Sequence, residues 1–285
     1  MSQLANILSN DKLIPSAALN RLGLQLARIC AARTLLHVRR MRDRSTKETP
    51  TRQLIEQGYC TIPNFLSERD LALVRREFDA AQQRLREQRI LPLLDRVRTV
   101  VHSETISGNE SIYPETTRSV LRDERFVRIV MAHEGQTEET LYRRGMFKAR
   151  FERALLHDGG PTAAYTEDTN SDLHSDTFYS ITKAYLYLRP TDADSAAFVF
   201  VPKSHRLHPR RLLFEYSNSV GIGQRAPRIT DVDLEKWGLR KVTLSCDANT
   251  LMIANTFGWH ARGIFSPGHE RHSVFVEYRS NALRL

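Results

Sequence analysis

At 285 residues, 41% of them hydrophobic and 26% charged, the chain can bury the core of one large domain, which excludes a disordered tail or a disulfide-stapled miniprotein. Its cysteines, Cys30, Cys60 and Cys246, are scattered and odd in number, so no disulfide framework or Cys-x-x-Cys zinc site is expected, and a reducing compartment is. No apolar run is long enough to span a bilayer and no signal-peptide pattern opens the chain, so a cytoplasmic protein is expected; the formal charge of +9 bears on partners, not on fold.

Much of the excess charge is local. No acidic residue lies between Asp11 and Asp43, while Arg21, Arg28, Arg33, Arg39, Arg40 and Arg42 accumulate. Leu22, Leu26, Ile29, Cys30 and Leu36 recur at roughly helical spacing, which predicts a helix over about residues 19–44 with arginines around its apolar stripe. Such a helix either packs its stripe on the main domain or lies on an anionic membrane surface, here the inner face of the cytoplasmic membrane. Nucleic acid is not an expected partner, because no base-stacking pattern of aromatic and basic residues accompanies the charge. Residues 45–51, with Pro50, read as a hinge, dividing a basic amphipathic segment over residues 1–50 from a main domain over residues 51–285. A short helix closed by Gly58, a strand over residues 59–62, a helix over residues 68–89 with Ser67 as its N-cap, and a helix over residues 118–131 follow. The chain before residue 140 is thus expected to be mostly helical.

From Met146 the texture changes. Residues 147–156, 182–188, 197–201, 241–246, 251–256 and 273–278 are rich in β-branched and aromatic residues, with turn residues between them. Residues 192–195 and 246–249 read as hairpin ends, and Pro202 closes the strand before it. Helices followed by such strands imply a mainly β fold with flanking helices, a jelly-roll, cupin-like core over about residues 146–280 behind a helical N-terminal part.

Within that core stands His174-Ser175-Asp176, with His260 and Arg271 downstream. Alternate residues of an extended chain point the same way, so His174 and Asp176 can reach one ion. Two imidazoles and one carboxylate form the facial ligand set of non-haem Fe(II) oxygenases, which leaves positions open for a co-substrate and O₂. Arg271 offers a permanently charged fork for a carboxylate such as that of 2-oxoglutarate. The H-x-D triplet alone is a weak signal that far more often marks a surface hydrogen-bonded pair than a metal site; the strand-like runs around His260 and Arg271 favour the metal. Lys183, Tyr185 and Tyr187 share one face of the next strand, either filling space with Lys183 in solvent or touching co-substrate or an anionic substrate. Lys148, Arg150 and Glu152 form a second candidate lining. His157, His205, His208, His269 and His272 read as structural or solvent-exposed, and Trp259 as a core residue.

The runs Leu173-His174-Ser175-Asp176-Thr177-Phe178, Ala197-Phe198-Val199-Phe200-Val201-Pro202-Lys203-Ser204-His205-Arg206 and Gly258-Trp259-His260-Ala261-Arg262-Gly263, with the opening Gly58-Tyr59-Cys60-Thr61-Ile62-Pro63-Asn64-Phe65-Leu66, resemble the phytanoyl-CoA dioxygenase family over about residues 52–280. The resemblance implies a double-stranded β-helix, Fe(II) held by His174, Asp176 and His260, 2-oxoglutarate and O₂ as co-substrates, Arg271 on the far carboxylate of 2-oxoglutarate, and Ser273 as a second donor. Asp176 then argues for hydroxylation or desaturation, since related halogenases carry a small residue there. Ser175, where an amide residue is common, and Lys203, in place of a glycine, depart from the pattern and put a CoA thioester substrate in doubt. A narrower similarity, through Asn20-Arg21-Leu22-Gly23-Leu24 and the His-Ser-Asp-Thr-Phe run, is to bacterial Kdo hydroxylases, which act on an acidic sugar of lipid A; it implies an anionic, lipid-linked substrate and peripheral membrane contact through residues 19–44. The rival readings are a hydroxylase of a small metabolite or acyl chain, and a non-catalytic basic membrane-surface protein on a cupin fold. A zinc hydrolase is disfavoured, because no general-base glutamate stands beside the H-x-D motif.

Overall fold

The computed structural model describes residues 13–14, 16–42, 48–87, 93–95, 98–107, 115–144, 146–155, 171–221, 228–279 and 283. Expectations for residues 43–47, 88–89, 156 and His157 lie outside the described residues.

The basic helix forms in two pieces. Ser16 caps α1 (Ala17–Arg21), and Gly23, at φ 82, turns the chain into α2 (Leu24–Arg42). One face of α2 docks through buried Ile29, Ala32 and Leu36. Its arginines do not all avoid that face: Arg28 lies 3.8 Å from the Phe178 ring centroid and Arg33 5.1 Å from that of Phe257, while Arg40 Nε donates to His133 O. Guanidinium is weakly hydrated and stacks on aromatic faces, so inward arginines are tolerated. Leu22, Leu35, Val38 and Met41 stay exposed. Among the described residues no helix is long and apolar enough to cross a membrane.

Pro50 lies in the first turn of α3 (Thr49–Gln57), where a missing N–H costs nothing. Gly58 ends α3 at φ 92, and a Cβ there would sit 2.6 Å from His205 Nδ1 and 2.7 Å from Phe200 Cζ, so glycine is required twice over. After β1 (Tyr59–Ile62), α4 (Glu68–Glu87) starts as expected, with Ser67 Oγ accepting from Asp70 N at 3.1 Å. The expected helix over residues 118–131 is two, α5 (Glu115–Leu121) and α6 (Glu124–Glu134), because the Asp123 carboxylate accepts from Arg125 N and caps a new start. Between α4 and α5 the helical expectation fails: β2 (Leu93–Asp95) and β3 (Arg98–Ser107) form an antiparallel ribbon. After α7 (Glu138–Arg144) come β4 (Met146–Leu155), β5 (Ile181–Tyr187) and β6 (Phe198–Phe200). Two helices not anticipated, α8 (Pro209–Val220) and α9 (Asp231–Lys236), precede β7 (Val242–Leu244), β8 (Thr250–Asn255), β9 (His260–Arg262) and β10 (Glu270–Arg279). Both carried readable start signals, Pro209 in the first turn of α8 and the Thr230–Asp233 capping box of α9.

The strands build two antiparallel sheets, a major one in the order β1-β8-β5-β10-β4-β3-β2 and a minor one in the order β7-β6-β9. Opposed, they form the jelly roll of a double-stranded β-helix. Residues 192–195 and 246–249 are therefore crossovers between sheets, not hairpins, and the Thr191↔Cys246 bridge ties them together. One face of the major sheet is apolar and packs on the helices: Ala184, Leu186, Leu251, Ile253, Val274 and Val276 meet Leu71, Phe78, Phe126 and Val130. The other face looks into the roll, where Tyr185, Tyr187, Met252 and Phe275 meet Phe198, Phe200 and Leu244 of the minor sheet. Period-two alternation thus assigns every second residue of β4, β5 and β10 to the interior.

Two buried histidines outside that interior set an acid limit on the fold. His133 lies between Glu134, Thr182 and Asn255, and burial pushes it down to about 4; His205, whose Nε2 meets Ile55 O at 2.9 Å, is pushed down to about 3 by burial and by Arg33. Each binds its proton more weakly folded than unfolded, where a histidine titrates near 6.5, so stability is intact above about pH 6.5 and falls as pH drops towards 4. The slope should approach roughly 1.4 kcal/mol per pH unit for each histidine. Urea denaturation at roughly pH 7 and pH 5 checks this; His133→Gln should flatten the dependence, and an unchanged slope in that variant would remove His133 as a cause.

Candidate metal centre

His174 and His260 are direct partners in an isolated antiparallel bridge, exchanging both backbone hydrogen bonds at 2.9 Å. The pairing puts their side chains on one side, with ring centroids 4.5 Å apart. The chain bends at Asp176, whose N donates to Thr256 O at 3.1 Å, and the carboxylate comes to the same point as the His174 ring. One ligand atom from each of His174, Asp176 and His260 lies within 4.8 Å of the others. His174 Nε2 stands 3.9 Å from Asp176 Oδ1, and His260 Nε2 3.6 Å from Asp176 Oδ2.

The other nitrogen of each ring is engaged. His174 Nδ1 meets Asp172 O at 2.7 Å and His260 Nδ1 meets Gly258 O at 3.0 Å. A backbone carbonyl only accepts, so each Nδ1 carries the proton and each Nε2 presents a lone pair to the shared point, the second-shell arrangement of metal-bound histidines. Burial lowers the pKa of both rings, that of His260 to about 3, so both stay neutral near pH 7. Burial works against the charge on Asp176, but the Lys183 ammonium beside it outweighs burial and holds the carboxyl well below the usual carboxylate range. Nitrogen and oxygen donors of this kind suit a divalent transition ion.

Arg271 lies inside the roll, 4% exposed, at the other end of β10. Its Nη1 donates to Ala196 O at 2.6 Å and its Nη2 to Glu152 Oε1 at 3.1 Å, while Nε finds no partner among the described residues. Arg150 holds the other oxygen of Glu152 at 2.8 Å, so among the described residues two guanidiniums share one carboxylate at this end of the cavity. Ser273 and Tyr187 sit opposite each other on β10 and β5, and Ser273 Oγ and Tyr187 OH are buried without a hydrogen-bond partner among the described residues. Buried polar atoms left open cost free energy unless a ligand satisfies them. A cation with an open N–H and two open hydroxyls fit a carboxylate entering the roll.

Of the residues singled out by sequence, the structure therefore groups His174, Asp176 and His260 at one point and Arg271 with Ser273 at another along the same interior. Tyr185 packs between them, 5.0 Å from the Phe275 ring, with the Arg271 guanidinium 5.5 Å from its own. Lys183 does not turn towards Arg271; opposite Glu277 in the β5–β10 register, it pairs with Asp176. Glu277 and Arg279 were not singled out, although carrying the alternation of Arg271, Ser273 and Phe275 along β10 reaches both. His205, His208 and His272 take structural parts, Trp259 is fully buried, and His269 is exposed, as expected. Lys203 adopts φ 65, the left-handed conformation that favours glycine.

The model of the family described as phytanoyl-CoA dioxygenase (PhyH) matches residues 54–233. That span holds His174 and Asp176 but ends before His260 and Arg271, which the fold supplies. Among solved structures, the epimerase SnoN in complex with Fe3+, alpha ketoglutarate and nogalamycin RO is 18% identical over 84% of this chain and 85% of that one, with a TM-score of 0.52. AviO1 from Streptomyces viridochromogenes Tue57 is 11% identical over 84% and 95% of the two chains, with a TM-score of 0.48. HygX from Streptomyces hygroscopicus, with nickel and 2-oxoglutarate bound, is 13% identical over 82% and 87%, with a TM-score of 0.47. The SnoN match carries the likeness of fold. A comparison with curated protein sequences finds no match.

Proposed function

On the premise that this chain belongs to the phytanoyl-CoA dioxygenase (PhyH) family, non-haem iron oxygenases dependent on 2-oxoglutarate, we propose that it hydroxylates an unactivated C–H bond of an anionic, lipid-linked sugar, with the Kdo sugar of lipid A as the favoured substrate. One observation carries the chemistry: His174 Nε2, the Asp176 carboxylate and His260 Nε2 converge with both Nδ1 atoms already engaged. These three residues would hold Fe(II). Arg271, Ser273 and Tyr187 would hold the far carboxylate of 2-oxoglutarate, which answers the open Nε, Oγ and OH of the interior. Bound iron and 2-oxoglutarate supply the activation of O₂ that no side chain can. The protein's part is to orient the co-substrate between Arg271 and the ligand set and to line the cavity with Tyr185, Phe198 and Phe275, which exclude water. The balance is R–H, O₂ and 2-oxoglutarate giving R–OH, succinate and CO₂.

Two features support the anionic, membrane-held substrate. The formal charge of +9 favours a negative partner. The outer face of α2 exposes Leu35, Val38 and Met41, with Leu22 before it, along a segment without an acidic residue, a pattern suited to the surface of an anionic membrane on its cytoplasmic side. The test is anaerobic reconstitution with Fe(II) and 2-oxoglutarate, then O₂ and lipopolysaccharide extract, with succinate and lipid mass both read. A gain of one oxygen on a Kdo-bearing fraction is expected. Succinate without that gain on any such fraction would reject the substrate and keep the oxygenase; no succinate under any condition would reject both.

A further inference from the structure

Lys183 is neither a solvated cation nor a contact of the Arg271 end of the cavity. Its Nζ lies 2.8 Å from Asp176 Oδ2, an ion pair whose angles fall short of a hydrogen bond, and 3.7 Å from Glu277 Oε2, while Glu277 Oε1 accepts from Arg279 Nε at 2.6 Å. Lys183 and Glu277 are mostly buried, their side chains 15% and 7% exposed. The row Asp176, Lys183, Glu277, Arg279 alternates in sign and its formal charges cancel, so the lysine adds no net charge beside the ligand set. β5 and β10 fix the row, because Lys183 and Glu277 are cross-strand partners on the interior face.

We propose that Lys183 is a positioning residue of the metal centre: by holding Asp176 Oδ2 it restricts Asp176 to a single ligating oxygen and so keeps one coordination position open. The inference rests on the metal reading given above. Two imidazoles and one carboxylate oxygen leave three positions on an octahedral ion; a chelating 2-oxoacid fills two, and the last is needed for O₂. An aspartate free at both oxygens can close on the ion through both, and the 2-oxoacid must then displace the second oxygen to bind with a position still open for O₂. An ammonium group 2.8 Å from Oδ2 opposes that closure electrostatically, because chelation would draw the oxygen away from its buried cationic partner.

The test uses Co(II) as the metal probe on the apoprotein, comparing the wild type with Lys183→Met, close in length and uncharged, and Lys183→Arg, which keeps a cationic donor. Co(II) affinity, the visible absorption bands that report its coordination, and 2-oxoglutarate affinity of the Co(II)-loaded protein are each measured. For Lys183→Met the expected result is Co(II) affinity equal to or tighter than wild type, altered absorption bands, and 2-oxoglutarate affinity weaker by about tenfold or more, the size of a typical second-shell loss. Lys183→Arg should recover part of the 2-oxoglutarate affinity. Unchanged 2-oxoglutarate affinity in Lys183→Met, or loss of Co(II) and 2-oxoglutarate together with a lowered melting temperature, overturns the proposal. Failure of the wild type to bind Co(II) instead overturns the metal reading beneath it.

Discussion

Asp176→Ala should abolish succinate formation and weaken binding of a divalent ion by more than about 100-fold, since it removes a ligand where even outer partners are worth 10- to 100-fold. The loss has two parts. The ion loses the only anionic donor of the set, and it then faces Lys183, whose remaining acidic neighbour is Glu277 at 3.7 Å. The folded state should survive, because Asp176 holds no core contact and its backbone bond to Thr256 O does not depend on its side chain. Co(II) or Mn(II) titration of the apoprotein, beside a succinate assay, checks both parts. Wild-type turnover in Asp176→Ala would remove this residue from the ligand set.

Arg271→Lys should raise the apparent KM for 2-oxoglutarate by about 10- to 100-fold, the equivalent of losing one charge-assisted hydrogen bond of about 1.5–3 kcal/mol, with kcat at saturating co-substrate much less affected. Arg271 donates to Ala196 O and Glu152 through its two Nη atoms while its Nε stays open, and one ammonium cannot reproduce that fork. A distant carboxylate is bound alike before and during the reaction, so its loss falls mainly on KM. Arg271→Gln should also lower stability, by less than the roughly 3–5 kcal/mol of a fully orphaned buried charge, because Arg150 still pairs with Glu152. Steady-state kinetics against 2-oxoglutarate, with urea denaturation alongside, reads both; an unchanged KM in Arg271→Lys would place the co-substrate carboxylate elsewhere.

Some features could not be read locally because they depend on what covers what. α2 carries two apolar stripes, one through Ile29 and Leu36 and one through Leu35, Val38 and Met41, and its periodicity does not say which is buried. The aromatic rings of Phe178 and Phe257, far along the chain, decided it by accepting Arg28 and Arg33. β3 was overlooked behind a helical expectation, although Thr99, Val100, Val101, Thr105 and Ile106 are β-branched and would have marked it. The crossovers at residues 192–195 and 246–249 look like hairpins locally, since a turn residue shows where a strand ends and not which sheet receives the next one.

By itself the sequence determined what short-range geometry can encode: the one-residue H-x-D spacing that lets His174 and Asp176 reach one point, the alternation that lines up Arg271 with Ser273 and Lys183 with Tyr185, and the helix ends at Ser67 and Gly58. Only the tertiary structure decided that His174 pairs with His260, that Arg271 shares Glu152 with Arg150, and that Lys183 reaches Asp176. The reason is register. An alternating strand states which residues share a face, but sliding it by one pleat repeat along its neighbour keeps that face and changes every partner across it, so the contacts of the site follow from the packing of the whole roll.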